Sequence, residues 1–341
     1  MALTKNKKYS RARRHVAKYG IEKTALRISS RKYKGVRVHG FKIADGYHQP
    51  RYKLERFGAR LFAARLEAYL AKRRHVHFAH SKNLPRKILY RLPGFASWAA
   101  LMPGALALEP VQHPEKRRLP TGKWLDPLTR RLFRHGGDAV GIRTRTLMGG
   151  WIARQYVKAR QPKSLRWLSL AGGTSAPAML MMEAARADKS KLHYANVDQD
   201  AAALQIARQL TDFEGLNPER TKLISGDIFN RRLIDESTDG QLVDIIDMLG
   251  IFEYFEAKRC GQLLRLASSR LKPGGIIITC NMRADHPQLN LHKRGIGWPD
   301  VIPRRIDELI ELCRGAGIAK EQIDIYHPAD GIYNVLRIEK T

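Results

Sequence analysis

Acidic residues are scarce in this 341-residue chain, with 32 Asp and Glu against 62 Lys and Arg, a formal charge of +30 at pH 7. The shortage is sharpest at the start. Residues 1–90 hold 25 Lys/Arg and only four acids, Glu22, Asp45, Glu55 and Glu67, an excess of 21 within the total of 30. A positive block of this density points to an anionic partner: nucleic acid, acidic lipid headgroups or an acidic protein; its plain alternative is a solubilising face. Cysteine is nearly absent too. Cys260, Cys280 and Cys313 stand far apart, so there is no Cys-x-x-Cys pair and no disulfide framework, which suits a reducing, cytoplasmic compartment. No run reaches the ~18 consecutive apolar residues of a membrane-spanning helix. Met1 to Lys5 has no signal-peptide core, although its Arg-rich, acid-poor surroundings are also those of an organelle transit sequence. Apolar residues still make up 43% of the chain, enough for a full core in one large domain or two ordinary ones.

Residues 1–45 alternate cations with Tyr9, Tyr19, Tyr33 and Phe41 and are expected to be a loosely ordered arm or a small basic element. Such interleaving suits phosphate contact with base stacking, or a membrane surface. Pro50 to Arg74 reads as a helix with a core-facing stripe: Leu54, Phe57, Leu61, Phe62, Leu66, Tyr69 and Leu70 recur at three- and four-residue spacing. His75, His77 and His80 follow without a Cys or carboxylate to complete a metal set. Leu92 to Leu108 is almost free of polar side chains and is broken at Pro93 and Pro103. It is expected either to dip into a membrane interface or to pack as a hydrophobic loop. Glu109 to Gly137, with Pro110, Pro114, Pro120 and Pro127, reads as a linker. A helix over Asp138 to Lys158 then opens a second part, placing a boundary near 137 between a basic, mainly helical region (1–137) and an α/β domain (138–341).

From 165 on, short apolar strands alternate with amphipathic helices. Strands are expected at Leu165–Leu170, Leu192–Val197, Thr221–Ser225, Leu242–Met248 and Ile276–Cys280, with helices at Asp200–Asp212, Ala257–Leu271 and Arg304–Ala316. This alternation predicts a parallel sheet covered by helices on both faces. The last two strands, Gln322–Tyr326 and Tyr333–Ile338, are joined by a short turn and must be antiparallel.

Four places carry residues suited to holding a nucleoside. The first strand runs into Ala171-Gly172-Gly173-Thr174-Ser175, and Pro177 opens the next helix, so backbone N–H groups can approach a polar ligand closely. Asp198, beside Gln199, lies 25 residues past Gly173. That is close to the ~20 at which a carboxylate meets ribose hydroxyls in a related nucleotide fold; the alternative is an N-cap for the helix that follows. Asp227-Ile228 follows the third strand, where a plain turn is the alternative, and Asp247-Met248-Leu249-Gly250-Ile251-Phe252-Glu253-Tyr254 ends the fourth.

In this order, with Leu271-Lys272-Pro273-Gly274-Gly275 before the fifth strand, these residues resemble the class I S-adenosylmethionine-dependent methyltransferases. The resemblance covers roughly residues 138–341. It implies a Rossmann-like, seven-stranded, mostly parallel sheet ending in an antiparallel hairpin, with S-adenosyl-L-methionine as cofactor. Ala171, Gly172, Gly173 and Thr174 would let the backbone approach the cofactor closely, Asp198, with Gln199 beside it, would accept from the ribose hydroxyls, Asp227 and Ile228 would meet the adenine, and Asp247, Met248 and Leu249 would line the cofactor and acceptor side. The glycine turn departs from the family pattern: Ala171 and Ser175 stand where glycines are usual, and Ser169 replaces the usual acid.

A shorter segment, Gly250 to Phe255 followed by Asn281-Met282-Arg283-Ala284-Asp285-His286-Pro287, looks like bacterial methyltransferases that esterify hydroxy fatty acids. The Asn/Asp-Pro-Pro-aromatic motif of base amino-group methylation is missing, since the fourth strand runs on as Asp247-Met248-Leu249-Gly250. The resemblance therefore implies transfer to a small-molecule or lipid-like acceptor, with RNA methylation or a non-catalytic binding role as alternatives. A neutral acceptor must lose a proton, and Asp247, Glu253, Tyr254 and His286 are the candidate bases. Asn281 would orient the acceptor. Arg304 and Arg305 would pair with an acidic one or, as the plainer reading, mark a helix start. The expected setting is cytoplasmic with peripheral attachment to an anionic membrane; the oligomeric state is left open.

Overall fold

The computed structural model describes residues 10–341. Nine strands form a single mixed sheet: β1 (Ala25–Tyr33), β2 (Val36–Ile43), β3 (Leu165–Leu170), β4 (Leu192–Asp198), β5 (Thr221–Ser225), β6 (Val243–Met248), β7 (Leu271–Met282), β8 (Ile323–Pro328) and β9 (Tyr333–Glu339). Their order is β1-β2-β8-β9-β7-β6-β3-β4-β5. β3 pairs in parallel with both β4 and β6, β4 with β5, and β6 with β7, while β9 runs antiparallel between β7 and β8.

The expected seven strands are β3 to β9, and the expected count is corrected to nine. The other two come from the segment read as a loosely ordered arm or a small basic element. Lys34 and Gly35 both adopt positive φ, +49° and +88°, closing a tight hairpin of the type I′ kind. β2 then adds in parallel to β8. The sheet thus runs across residue 137. Of the densest basic run, Lys5, Lys7 and Lys8 lie outside the described residues, and Arg11, Arg13 and Arg14 fall in the helix Arg11–Tyr19.

Strands buried on both faces read as continuous apolar runs, and side chains of alternate residues enter opposite cores. Trp167, Ile245, Ile276 and Ile278 enter one core and Leu168, Ile246 and Ile277 the other. The helix Gly137–Arg160 lies under β7 to β9 and against the helix Ala176–Ala185. Gly149 and Gly150 permit that approach: a Cβ there would lie 2.5 Å from the Met181 sulfur and 2.8 Å from the Ala184 Cβ.

Residues 109–137 are not a linker. They contribute to the helices Ala105–Gln112 and Pro127–His135. Pro127 sits in the first turn, where no N–H is needed, and Asp126 caps it by accepting from Thr129 N. Leu92 to Leu108 folds into the helix Pro93–Ala99 and the start of Ala105–Gln112, with Phe95 and Trp98 buried. The helix Lys53–Ala71 buries Leu66 and Leu70 as expected, and Ala63 besides, but Leu54, Phe57 and Leu61 face solvent, correcting the reading of a continuous core stripe.

Candidate functional site

The tips of β3, β4 and β5 converge at the carboxyl edge of the sheet. Ala171 N donates to Val197 O at 2.8 Å, and Gly226 N donates to Asp198 O at 3.0 Å. In the β3 turn, Ala171, Gly173 and Ser175 all adopt positive φ. The turn is braced from below: Asn196 Nδ2 donates to Gly173 O and to Ser175 Oγ, and Tyr194 Oη donates to Ser175 Oγ. A Cβ on Gly172 would stand 2.5 Å from Asn196 Oδ1, and one on Gly173 2.6 Å from the Ala105 Cβ. The sheet and the helix Ala105–Gln112 thus clamp the turn from two sides. Thr174 is buried beside it.

Asp198 stands at the centre. Its Oδ2 accepts from Gly173 N at 2.7 Å and its Oδ1 from Asp200 N at 2.8 Å. Burial pushes its carboxyl above the ordinary range, although both backbone donors pull the other way. The helix after it is capped by Asp200, which accepts from Ala203 N, so the capping role falls two residues beyond Asp198. Gln199 and Asp227 are exposed at the same edge; Asp227 accepts from Phe229 N, and Ile228 is buried beneath it.

Two predicted contact residues lie in the sheet. Met248 is wholly buried on one face. Asp247 is buried on the other, where Trp167 Nε1 donates to it at 2.6 Å and Ser169 Oγ also donates. Burial pushes this carboxyl up to about 6. Ser169 and Asp247 are direct partners in the β3–β6 register, so β6 supplies a carboxylate beside the position where β3 lacks one. Leu249, half-buried, leads out of the strand into Gly250.

Beyond Gly250 a large apolar cavity opens, with about 960 Å³ of empty space counting its mouth. Phe62, Leu66, Phe95, Trp98, Phe133 and Trp298 form much of its wall. Pockets that take small molecules combine such walls with a few placed polar groups. Here these are Asp138, Arg145, Glu253, Tyr254, Gln288 and His292. Arg145 pairs with Glu253 at 3.2 Å and lies over the Tyr333 ring at 4.5 Å. Burial raises the Glu253 carboxyl, Arg145 opposes that, and Glu253 Oε2 has no partner. Tyr254 Oη accepts from Trp298 Nε1 at 2.5 Å.

One carboxylate holds two imidazoles at this wall. His286 Nε2 lies 2.7 Å from Asp138 Oδ1, and His292 Nδ1 lies 2.8 Å from Asp138 Oδ2. Burial alone would raise Asp138; the two histidines overcome it and hold the carboxyl far below the usual range. Gln288 N donates to His286 Nδ1 at 2.9 Å. That nitrogen is therefore an acceptor, the His286 proton sits on Nε2, and neither ring nitrogen is free. This corrects the assignment of His286 as base. His292 donates through Nδ1, which leaves Nε2 buried with no partner. His292, Asp138 and Arg145 escaped the sequence reading. The only signal for His292 is a second histidine six residues after the first; nothing marked Asp138, which starts a helix 148 residues before His286.

Asn281 is also corrected. Its Nδ2 donates to Met282 O and Ile302 O, and its Oδ1 accepts from Arg304, so the side chain is fully engaged in tying β7 to the following segment. Arg304 is buried and braces Phe252 O and Phe255 O, not an acceptor. Arg305 is exposed and pairs with Asp307 and Glu308 at the helix start, the plainer of its two readings. Among the described residues no group of three or more His, Cys, Asp or Glu is arranged to hold a metal, and no helix is long and apolar enough to cross a membrane.

No family model matches the sequence, and no curated protein matches it closely. Solved structures are similar. A possible exported protein from Bordetella parapertussis aligns over 86% of this chain and 99% of its own, with a TM-score of 0.56 at 15% identity. A Nostoc punctiforme protein assigned as an O-methyltransferase aligns over 60% of this chain, which spans only 59% of it, with a TM-score of 0.44 at 16% identity. Magnesium protoporphyrin IX methyltransferase from Synechocystis, with bound S-adenosylmethionine, aligns over 60% of this chain and 83% of its own, with a TM-score of 0.42 at 9% identity. At 15% identity the likeness to the Bordetella protein is one of fold alone.

Proposed function

We propose that this chain is an S-adenosylmethionine-dependent methyltransferase acting on the hydroxyl of an apolar small-molecule or lipid-like acceptor. The observation that carries the reading is His292: an imidazole locked by Asp138 at the wall of an apolar cavity, with Nε2 left unpartnered. The residues at the sheet edge fit the cofactor. A carboxylate has about four acceptor sites, so Asp198 keeps capacity for two sugar hydroxyls after receiving its two backbone donors. Gly172 and Gly173 let the turn pack closely on Asn196 and Ala105, which fixes its backbone beside Asp198. Asp227, exposed at the same edge, would meet the adenine. When bound, the sulfonium supplies an electrophilic methyl group.

The chain's own part is positioning, drying and deprotonation. The aromatic wall excludes water from the acceptor, which strengthens every polar contact inside. His292 Nε2 takes the hydroxyl proton as the oxygen becomes nucleophilic, and Asp138 stabilises the imidazolium that forms. Glu253 Oε2, held by its partner oxygen on Arg145, offers a second acceptor for orienting the substrate.

The test uses labelled S-adenosylmethionine with a total lipid extract, a pool of apolar phenols and alcohols, and total RNA. The expected result is transfer to lipid or small molecule that His292→Ala removes while calorimetric cofactor binding persists. Label in RNA alone would replace the acceptor class, and absence of cofactor binding would end the methyltransferase reading.

A further inference from the structure

Leu54, Phe57 and Leu61 stand 82%, 65% and 43% exposed on the helix Lys53–Ala71. Positions spaced by three and four residues share a helix face, so these three form one unpartnered apolar stripe. Lys53, Arg60 and Arg65 flank it, all exposed. The adjoining helix Pro127–His135 exposes Leu128 and Arg131, and the turn before it exposes Lys123 and half of Trp124.

What this surface lacks is as informative. Every acid between residues 46 and 131 is withdrawn from the exposed set and engaged. Glu55 is taken by Arg134 and His135, Glu67 by Asn290 and Leu291 N, and Glu109 by Lys116. Glu115 accepts from Tyr47 Oη, and Asp126 serves as a cap. Basic and apolar groups are therefore presented together, and each acid of this stretch is at least partly buried and engaged by a partner.

From this we infer that the outer face of the helix Lys53–Ala71, with Trp124 and Leu128 beside it, docks the protein on an anionic lipid bilayer. An amphipathic helix that places bulky apolar groups among cations inserts the former below the headgroups and pairs the latter with acidic lipid. The other candidate occupants fit one feature only. A phosphate backbone would satisfy the cations and leave Leu54, Phe57 and Leu61 in water. A second copy meeting on this face would bring only like charges together. The same helix lines the acceptor cavity from its opposite side through Ala59, Phe62, Ala63 and Leu66, so docking would set the cavity against the lipid phase.

The inference does not rest on the methyl-transfer reading, and its test needs no cofactor. The full chain is co-sedimented with vesicles of mixed phosphatidylcholine and phosphatidylglycerol, and with phosphatidylcholine alone. Binding to the mixed vesicles only, weakened by salt, is expected. The double variant Leu54→Ser, Phe57→Ser is expected to bind them about tenfold more weakly or worse, since both side chains lose their apolar burial in the interface. Its thermal unfolding should match the wild type, because neither side chain is packed in the fold. Arg60→Glu with Arg65→Glu should abolish the preference for anionic lipid. No binding to mixed vesicles, or undiminished binding by the apolar double variant, would overturn the inference. So would binding to RNA in place of vesicles that the double variant leaves unchanged.

Discussion

Replacing Asp138 by Asn should disable the proposed base without emptying the cavity wall. The carboxylate now receives a proton from each of two imidazoles. An amide has one oxygen and one NH₂, so it can accept from only one ring and must donate to the other. His286 cannot be the one that changes. Its Nδ1 already receives Gln288 N, and moving the proton there would set two donors face to face. The amide NH₂ must therefore turn to His292, whose Nδ1 becomes an acceptor and whose proton moves to Nε2. The nitrogen at the cavity wall then carries hydrogen and cannot take one from a hydroxyl. General-base assistance is worth about 10²–10⁴ in rate, or roughly 3–5 kcal/mol at about 1.4 kcal/mol per decade. Turnover should fall by that amount while cofactor affinity, set at the β4 tip, stays unchanged. The tautomer is readable before any acceptor is known: in ¹⁵N-histidine NMR, His292 should switch from the Nδ1–H to the Nε2–H form. His286→Gln, which alters a ring with no free nitrogen, should cost far less. A variant Asp138→Asn that keeps the Nδ1–H form, or turns over within about threefold of wild type, would refute the reasoning.

Three further outcomes are expected. Asp198→Asn leaves an amide where two backbone N–H groups require an acceptor, and cofactor affinity by calorimetry should drop at least about tenfold with the fold retained. Asp247, raised to about 6 from an ordinary 3.8, holds its proton in the folded chain at pH values where the unfolded chain has released it. Its contribution therefore turns unfavourable as pH rises from about 4 to 6, by roughly 3 kcal/mol in all. Asp247→Asn removes that titration, so its urea-unfolding stability relative to wild type should improve between pH 4 and pH 7 by an amount on the order of 2–3 kcal/mol. Gly172→Ala drives a Cβ to within 2.7 Å of the Ser169 Cβ as well as against Asn196, and should displace the β3 turn, lowering both thermal stability and cofactor binding.

The sequence by itself determined the α/β part. Short, largely apolar strands such as β3 and β6, separated by amphipathic helices, have few ways to bury both faces other than a covered parallel sheet. Asp198 was legible for a related reason: it ends a strand one βα unit after a glycine turn, and chain connectivity alone brings those two tips together. Asp247 was found as a motif member but misplaced, because strand alternation decides whether a side chain reaches the cleft or the core. β1 was hidden because nearly all of it is exposed and its Lys-Gly turn is a weak hairpin signal; β2 carries the buried Val36, Val38 and Phe41, but they stand among cations in a segment that its charge dominated. The group proposed to handle the proton belongs wholly to the tertiary structure. Asp138 starts one helix, His286 lies in a loop and His292 in the short π-helical turn Leu291–Ile296, far along the chain, and two hydrogen bonds to one carboxylate, with a third from a backbone N–H, decide which imidazole keeps a free nitrogen. Side-chain protons are apportioned by neighbours in space, and no spacing along the chain records those neighbours.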